Sequence, residues 1–127
     1  LAGGPDAPEG LSRGYFVRPT VFSSVTTDMP LAQEEVFGPV LAILPYDSVE
    51  EAVEIANNSE YGLGGGVWAE SREAGIDVAR RIRTGQVAVN GAIPTADLPF
   101  GGFKKSGIGR EGGVHAVEEF LEMKTIF

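Results

Sequence analysis

The sequence contains no cysteine, and its only histidine is His115. Without cysteine, these residues hold no disulfide, no thiolate metal ligand and no thiol nucleophile. A single histidine cannot assemble a histidine-based metal centre, so no metal site is predicted. Apolar runs of about 18 residues, the length that a membrane-spanning helix requires, are also absent, and no membrane partner is expected.

Basic residues are scarce as well. The chain carries 10 lysines and arginines against 18 aspartates and glutamates, a net charge of -8. Between Asp28 and Asp77 the only basic residue is Arg72. A protein that binds nucleic acid needs a basic surface for the phosphate backbone, so no nucleic-acid partner is expected. Residues 1–5 have neither the basic nor the apolar region of a signal peptide, which favours a cytoplasmic location.

The residues that are present have the composition of one globular domain, with 43% hydrophobic and 22% charged residues in 127 positions. Residues 1–14 combine glycine and proline with no apolar periodicity, and they are predicted to be a loop or disordered leader. Residues 15–120 are predicted to form the domain itself. Residues 121–127 are predicted to close the chain as a strand.

Strand and helix patterns alternate through residues 15–120. Strands are predicted at residues 15–22, 40–46, 63–69 and 86–90, the first of them interrupted by Pro19. Helices are predicted from Ser48 to residues 57–58, from Ser71 to residues 84–85, and from Arg110 to about Phe120. Because strands that alternate with helices pair in parallel through crossover connections, the predicted fold class is α/β with a mostly parallel sheet.

The first notable motif is residues 33–40 (QEEVFGPV), directly before a predicted strand. Pro39 fixes its own φ and keeps Gly38 out of a helix, so Glu35 and Phe37 are expected on a defined corner. An aimed carboxylate and an aromatic ring can bind a ligand. An acidic loop that only caps the strand would explain the same residues without any function.

The second motif is residues 98–107 (LPFGGFKKSG), inside a long predicted loop at residues 92–109. A loop of that length within a compact domain is typically functional or disordered. It follows the pair Asn90-Gly91, which predicts a turn. Residues 107–112 (GIGREG) also match the G-x-G-x-x-G letter pattern of dinucleotide-binding proteins, but no buried strand precedes them, so glycines that ease entry into a helix are the preferred interpretation.

Together, in this order, the two long motifs resemble the aldehyde dehydrogenase superfamily. Its cofactor-ribose motif reads Glu-x-Phe-Gly-Pro, and its later signature reads Pro-Phe-Gly-Gly-x-Lys-x-Ser-Gly. The resemblance extends from about residue 14 to residue 127. It implies the C-terminal portion of the catalytic domain with a terminal oligomerisation strand, NAD or NADP as cofactor, an aldehyde substrate and a homo-oligomer.

The resemblance also implies roles for individual residues. Glu35 would accept hydrogen bonds from the nicotinamide ribose, which suits an ionised carboxylate facing a vicinal diol, and Phe37 would pack near the nicotinamide ring. Phe100 would line the aldehyde entrance, although a phenylalanine filling the core beneath the loop explains it equally well. Arg110 and Glu122 would make contacts close to the subunit interface.

The same resemblance implies what the chain lacks. The family uses a cysteine nucleophile and a glutamate base, which lie upstream of the matched segment, so this chain alone is expected to be an inactive fragment of an aldehyde-oxidising enzyme. Residues 93–97 lack an aromatic that some relatives place against the substrate, which leaves the aldehyde open. A non-catalytic binding or assembly module on the same fold is the alternative. A reductase of acyl phosphates or acyl-CoA is a nearer one.

Overall fold

The computed structural model describes residues 2–127. This part of the chain forms two compact units, the first ending at Asn58 and the second spanning Ser59–Phe127. The sequence pattern predicted no such division within residues 15–120. Each unit is built on one pair of parallel strands, which confirms the predicted α/β class with parallel strands and connecting helices.

The first unit contains two short strands, β1 (Thr20–Phe22) and β2 (Val40–Ala42), which pair in parallel. A helix of one turn, α1 (Pro30–Gln33), lies in the connection between them, and α2 (Val49–Asn57) follows β2. Parallel strands cannot be joined by a two-residue hairpin, so a long connection of this kind is required.

Both strands are shorter than the sequence predicted, because residues 15–19 and 43–46 lie outside them. Pro19 accounts for the later start of β1, since proline has no N–H to donate to a strand ladder. The strand predicted at residues 15–22 therefore begins only at Thr20, after the proline that interrupts it.

Within the predicted leader, residues 3–14 form loops, and Ala2 pairs with β1. Ala2 and Val21 exchange both of their backbone hydrogen bonds, at 2.9 and 3.0 Å. The Thr20 hydroxyl accepts a further bond of 3.1 Å from the Gly4 N–H, and Thr20 is 7% exposed. These contacts attach the start of the described chain to β1.

α2 begins after Ser48, as the sequence predicted, and its first turn is closed by a capping box. The Ser48 hydroxyl accepts a hydrogen bond of 3.1 Å from the Glu51 N–H. The Glu51 carboxylate accepts one of 2.7 Å from the Asp47 N–H, one residue before the usual partner. Val25 and Val53 are the buried hydrophobic side chains among residues 2–127, at 3% and 7% exposure, so the core of this unit is small.

The second unit contains β3 (Gly64–Val67), α3 (Arg72–Ala79) and β4 (Gln86–Val89). β3 and β4 pair in parallel with Gly64 opposite Gln86, and α3 packs against both strands. A parallel pair whose crossover is a helix is the βαβ arrangement that the alternating sequence pattern predicted.

α3 begins at Ser71, whose hydroxyl accepts a hydrogen bond of 3.1 Å from the N–H three residues on, as predicted. The helix ends at Ala79, before the predicted end at residues 84–85, because the next N–H groups bond to carbonyls three residues back. Gly75 permits close packing on the sheet, since a Cβ there would lie 2.5 Å from Val89 Cγ1.

The predicted turn at Asn90-Gly91 is confirmed. Asn90 and Gly91 have φ values of 51° and 76°, a conformation that asparagine and glycine tolerate best. The Asn90 N–H donates to the Val67 carbonyl at 2.8 Å, and its side-chain oxygen accepts the Ala69 N–H at 2.8 Å. Asn90 therefore closes the end of the β3–β4 pair.

Two short 3₁₀ helices, Lys104–Ser106 and Val114–Phe120, complete the second unit. The helix predicted from Arg110 begins only at Val114, because the two glycines before it have φ values of 73° and 64°, outside any right-handed helix. Among the described residues, 121–127 form neither helix nor strand. The terminal oligomerisation strand stays a prediction, since an edge strand forms only against a partner.

Large hydrophobic side chains are widely exposed in both units. Tyr15, Phe37, Ile108 and Phe127 are each more than 95% exposed, and Trp68 is 77% exposed. Exposed apolar surface on this scale is typical of surfaces that other protein covers. No helix within residues 2–127 combines the length and the apolar character that crossing a bilayer demands.

Candidate functional site

The first motif, residues 33–40, forms a sharp corner between α1 and β2. The N–H groups of Gly38 and Val40 each donate to the carbonyl two residues back, both at 2.8 Å, so two γ-turns follow each other. The Pro39 carbonyl accepts a bond of 2.8 Å from the Thr20 N–H, which ties the corner to β1. The backbone on which Glu35 and Phe37 lie is therefore held by short, local bonds.

Glu35 and Phe37 both have exposed side chains at this corner, and the Phe37 ring is 96% exposed. Within residues 2–127, no hydrogen bond or ion pair engages the Glu35 carboxylate. An ionised carboxylate accepts hydrogen bonds through both oxygens, so it can hold two neighbouring hydroxyl donors. The exposed ring of Phe37, two residues on, offers an apolar face for a heteroaromatic group. A carboxylate that accepts hydrogen bonds and an exposed aromatic ring fit the ribose and nicotinamide of a dinucleotide.

The second motif, residues 98–107, lies in the second unit and docks on residues 59–62. The Ser106 hydroxyl accepts a hydrogen bond of 2.9 Å from the Gly62 N–H, and the Phe103 N–H donates to the Gly62 carbonyl at 2.8 Å. The motif serine is therefore used to hold the loop.

Two lysines of this motif contact the same segment. Lys104 donates to the Ser59 carbonyl at 2.8 Å, from a backbone φ of 56°. Lys105 forms an ion pair of 2.6 Å with Glu60, and both side chains are more than 60% exposed. The hydrogen bond to Glu60, together with its negative charge, raises the pKa of Lys105. Because an exposed pair contributes little stability, the backbone and serine bonds hold the loop.

Phe100 lies where this loop returns on itself. Its N–H donates to the Glu111 carbonyl at 2.7 Å, and its carbonyl accepts the Glu111 N–H at 2.8 Å. The side chain is 43% exposed and lines an open cavity of about 400 Å³ with Leu63, Arg110 and Phe120. Among the described residues the ring is therefore only partly covered, and its role at the aldehyde entrance stays a prediction beside the core-filling alternative.

Arg110 makes its contacts inside the loop. Its Nη1 donates to the Gly102 carbonyl at 2.9 Å and to the Gly109 carbonyl at 2.6 Å, and its guanidinium carbon lies 5.2 Å from the centre of the Phe103 ring. Glu122 is exposed, and the described residues show no ion pair between it and Arg110. The interface role of the two residues stays a prediction about an assembly.

The glycines of residues 107–112 reverse the backbone. Gly107, Gly109 and Gly112 have φ values of 129°, 81° and 73°, and a 3₁₀ helix precedes them in place of the buried strand that a dinucleotide fingerprint requires. The preferred interpretation, conformational freedom of glycine, agrees with this geometry. No group of three or more metal-ligating side chains occurs among residues 2–127.

The predicted site residues fall into two groups. Glu35 and Phe37 share one corner of the first unit, while Phe100 and Arg110 line one cavity of the second unit. Sequence reasoning did not predict the docking of Ser106 on Gly62 or the contacts of Arg110 with backbone carbonyls. The partners of the first contact are 44 residues apart, so no local pattern marks them.

Two parallel strand pairs with connecting helices place the chain in the α/β class. Residues 1–126 match the family model described as "Aldehyde dehydrogenase family". The chain belongs to the aldehyde dehydrogenase family. A relative from Staphylococcus saprophyticus is 51% identical over 126 residues, which is 99% of this chain and 26% of the relative. The chain thus spans about a quarter of the length of that relative.

Solved structures of aldehyde dehydrogenases agree with this family assignment. A mutant of aldehyde dehydrogenase C from Pseudomonas syringae, in complex with NAD+ and octanal, superposes with a TM-score of 0.90 at 50% identity, over 95% of this chain and 25% of that one. An aldehyde dehydrogenase from Mycobacterium tuberculosis in complex with NAD+ gives a TM-score of 0.89 at 52% identity, over 94% and 25% of the two chains. The fold of this chain is therefore that of an aldehyde dehydrogenase segment.

Proposed function

We propose that this chain is the C-terminal part of an NAD-dependent or NADP-dependent aldehyde dehydrogenase that oxidises an aldehyde to a carboxylic acid. The observation that carries the proposal is the corner at residues 33–40, where Glu35 exposes a carboxylate without a partner among the described residues and Phe37, two residues on, exposes its ring. We assign the activity to a longer protein, because the chain covers only 26% of a relative that is 51% identical to it.

In this proposal Glu35 accepts hydrogen bonds from the two hydroxyls of the nicotinamide ribose, and Phe37 packs near the nicotinamide ring. NAD or NADP supplies the hydride acceptor. The γ-turns limit the movement of the corner, so the ribose is held in one place relative to the protein. Charge-assisted bonds to a carboxylate are stronger than neutral ones, which suits a contact that must position a cofactor.

Phe100 forms part of the aldehyde-binding wall. Its ring is partly exposed at a cavity, while its backbone is fixed by two bonds to Glu111. A ring on a fixed backbone can exclude water and contact an apolar chain. The relative from Pseudomonas syringae was crystallised with octanal, and an aliphatic aldehyde is accordingly the first substrate to test.

The exposed hydrophobic side chains support a larger assembly. Trp68 and Phe120 expose 77% and 87% of their area, and residues 121–127 pair with no strand in the described chain. The rest of the enzyme and other subunits of a homo-oligomer would cover this surface. The cysteine nucleophile of the family would also come from the rest of the enzyme, since the 127 residues of this chain contain no cysteine.

The proposal is tested by assaying a full-length protein that contains this segment beside the 127-residue chain. The full-length protein should form NADH or NADPH and a carboxylic acid from octanal, while the chain alone should form neither, because it has no nucleophile. Dinucleotide reduction by the isolated chain would contradict the expectation that only the full-length protein is active. A full-length protein that binds no dinucleotide would favour the assembly module, and one that reduces acyl phosphates or acyl-CoA would favour the reductase.

Exchange of Glu122 for lysine tests the proposed subunit contact. If Glu122 lies close to Arg110 at a subunit interface, Glu122→Lys should raise the dissociation constant of the oligomer by at least roughly tenfold, because the new lysine then repels that arginine. Glu118→Lys is the matched control, since the Glu118 side chain is 74% exposed and, among residues 2–127, pairs with His115 alone, at 3.6 Å. Analytical ultracentrifugation measures both. Equal dissociation constants for the two variants would make Glu122 a simple surface charge.

A further inference from the structure

Residues 100–111 form a closed loop whose two ends are bonded to each other. Phe100 and Glu111 exchange two backbone hydrogen bonds, at 2.7 and 2.8 Å, and so join the ends. Between these ends, the loop contains four glycines and only short 3₁₀ structure. Glycine-rich backbone has high conformational freedom, so the loop needs internal contacts to keep one shape.

Arg110 supplies contacts of that kind. From one end of the loop, its Nη1 reaches the Gly102 carbonyl on the opposite arm and the Gly109 carbonyl on its own arm, at 2.9 and 2.6 Å. The guanidinium also lies over the Phe103 ring, 5.2 Å from its centre. One side chain therefore joins both arms of the loop directly beside Phe100.

Arg110 and the two arms of the loop pack closely at Gly101. A Cβ on Gly101 would lie 2.5 Å from the Gly109 carbonyl oxygen of the opposite arm and 2.9 Å from Arg110 Cδ, so a side chain at this position would push the arms apart. Arg110 is half-buried and Gly102 is buried. Half-buried donors that point at carbonyls are costly to lose, because the acceptors are then left without partners.

We propose that Arg110 is a positioning residue for the aldehyde site: it holds the two arms of residues 100–111 together and thereby fixes the Phe100 ring. The inference rests on the proposed function, because it takes Phe100 as part of the aldehyde-binding wall. It differs from the interface role implied by family resemblance, since both hydrogen bonds lie within one chain.

The chemistry explains why arginine is suited to this position. A planar guanidinium can donate two hydrogen bonds from one terminal nitrogen while its face lies on an aromatic ring. A lysine ammonium carries the same charge but has no plane to stack and a shorter reach. Arg110→Lys therefore keeps the charge and removes the geometry.

The test uses the full-length enzyme with octanal and acetaldehyde as substrates. Arg110→Lys is expected to lower kcat/KM for octanal by roughly tenfold or more, mainly by raising KM. The kcat/KM for acetaldehyde should change much less, because a two-carbon substrate does not reach along the wall. The affinity for the dinucleotide should stay within about twofold, since no part of the loop belongs to the proposed ribose contact. Arg80→Lys is the matched control, because Arg80 is exposed and pairs only with Asp77.

A double-mutant cycle with Phe100→Ala decides whether Arg110 acts through that ring. The octanal effect of Arg110→Lys should largely disappear in the Phe100→Ala background. Additive effects would overturn the inference and leave the proposed function standing. If Phe100→Ala alone leaves octanal kinetics unchanged, the wall assignment fails, and this inference fails with it.

A second variant keeps the test valid if Arg110→Lys does not fold. Phe103→Leu retains both hydrogen bonds of Arg110 and removes only the ring beneath the guanidinium. It should shift octanal kinetics in the same direction by a smaller factor, with unchanged acetaldehyde kinetics. Wild-type selectivity between the two aldehydes in a folded Phe103→Leu enzyme would also contradict the inference.

Discussion

Replacement of Glu35 by glutamine in the full-length enzyme is expected to weaken dinucleotide binding by roughly tenfold to somewhat over a hundredfold. Hydrogen bonds to charged groups contribute about 1.5 to 3 kcal/mol, and each 1.4 kcal/mol is about a factor of ten in an equilibrium constant. Glutamine has nearly the same shape but offers one neutral acceptor in place of two charged ones. Isothermal titration with NAD+ and NADP+ measures the loss.

Part of the same loss should appear in the rate of hydride transfer. The ribose positions the ring that receives the hydride, so a looser ribose lowers the fraction of correctly placed rings. Single-turnover measurements under saturating dinucleotide separate this effect from affinity. The melting temperature should barely change, because no described residue bonds to the Glu35 carboxylate.

Glu34→Gln is the matched control for this experiment. Glu34 is the neighbouring exposed carboxylate, and only its backbone N–H is engaged, by the Pro30 carbonyl at 2.8 Å. Its substitution should leave affinity and hydride transfer unchanged. If Glu34→Gln lowers dinucleotide affinity and hydride transfer as much as Glu35→Gln does, the motif is an acidic loop without a ribose contact. The same conclusion follows if the Glu35→Gln enzyme binds and reduces the dinucleotide like the parent.

Local signals in the sequence predicted local structure correctly. Ser48 and Ser71 mark the starts of α2 and α3, and in both cases the hydroxyl accepts the N–H three residues on at 3.1 Å. The pair Asn90-Gly91 marks a turn that the backbone angles confirm. Each of these signals involves residues within four positions of each other, and physical preferences at that range are encoded in residue type.

Contacts between distant residues were not predictable in the same way. The length of α3 depends on where its last carbonyls find partners, and the docking of Ser106 on Gly62 joins residues 44 positions apart. The division into two units likewise depends on which surfaces pack, and periodicity carries no information about that. The sequence patterns therefore predicted the order of the helices and strands better than the residues at which they begin and end.

The two motifs illustrate the same difference at the candidate site. Pro39 indicated a fixed corner for Glu35 and Phe37, and the γ-turns at residues 36–40 provide one. For Arg110, family resemblance implied contacts close to a subunit interface, and the structure adds two backbone carbonyls and a ring within one chain. A guanidinium has several donors, so residue type alone does not fix its partners.

The largest stability effect is expected at Gly85, which lies just before β4. A Cβ at this position would overlap the Gly101 carbonyl and would come within 3.2 Å of the Leu63 carbonyl, and the Gly85 N–H bonds to the Gly62 carbonyl at 3.0 Å. All of these neighbours are backbone atoms, which cannot rotate away as a side chain can. Gly85→Ala must therefore shift the loop that carries Gly101 away from the strands.

Forced shifts of this kind cost about 1 to 3 kcal/mol and occasionally more, so Gly85→Ala should lower the melting temperature of the full-length enzyme by several degrees. The moved loop also carries Phe100, so KM for octanal should rise as well. Gly64→Ala is the control, because a Cβ there would meet no described atom closer than the Gln86 carbonyl at 4.0 Å. Differential scanning calorimetry and octanal kinetics on both variants make the comparison. A Gly85→Ala enzyme that melts and binds octanal like the parent would show that this loop does not lie against the strands in the assembled enzyme.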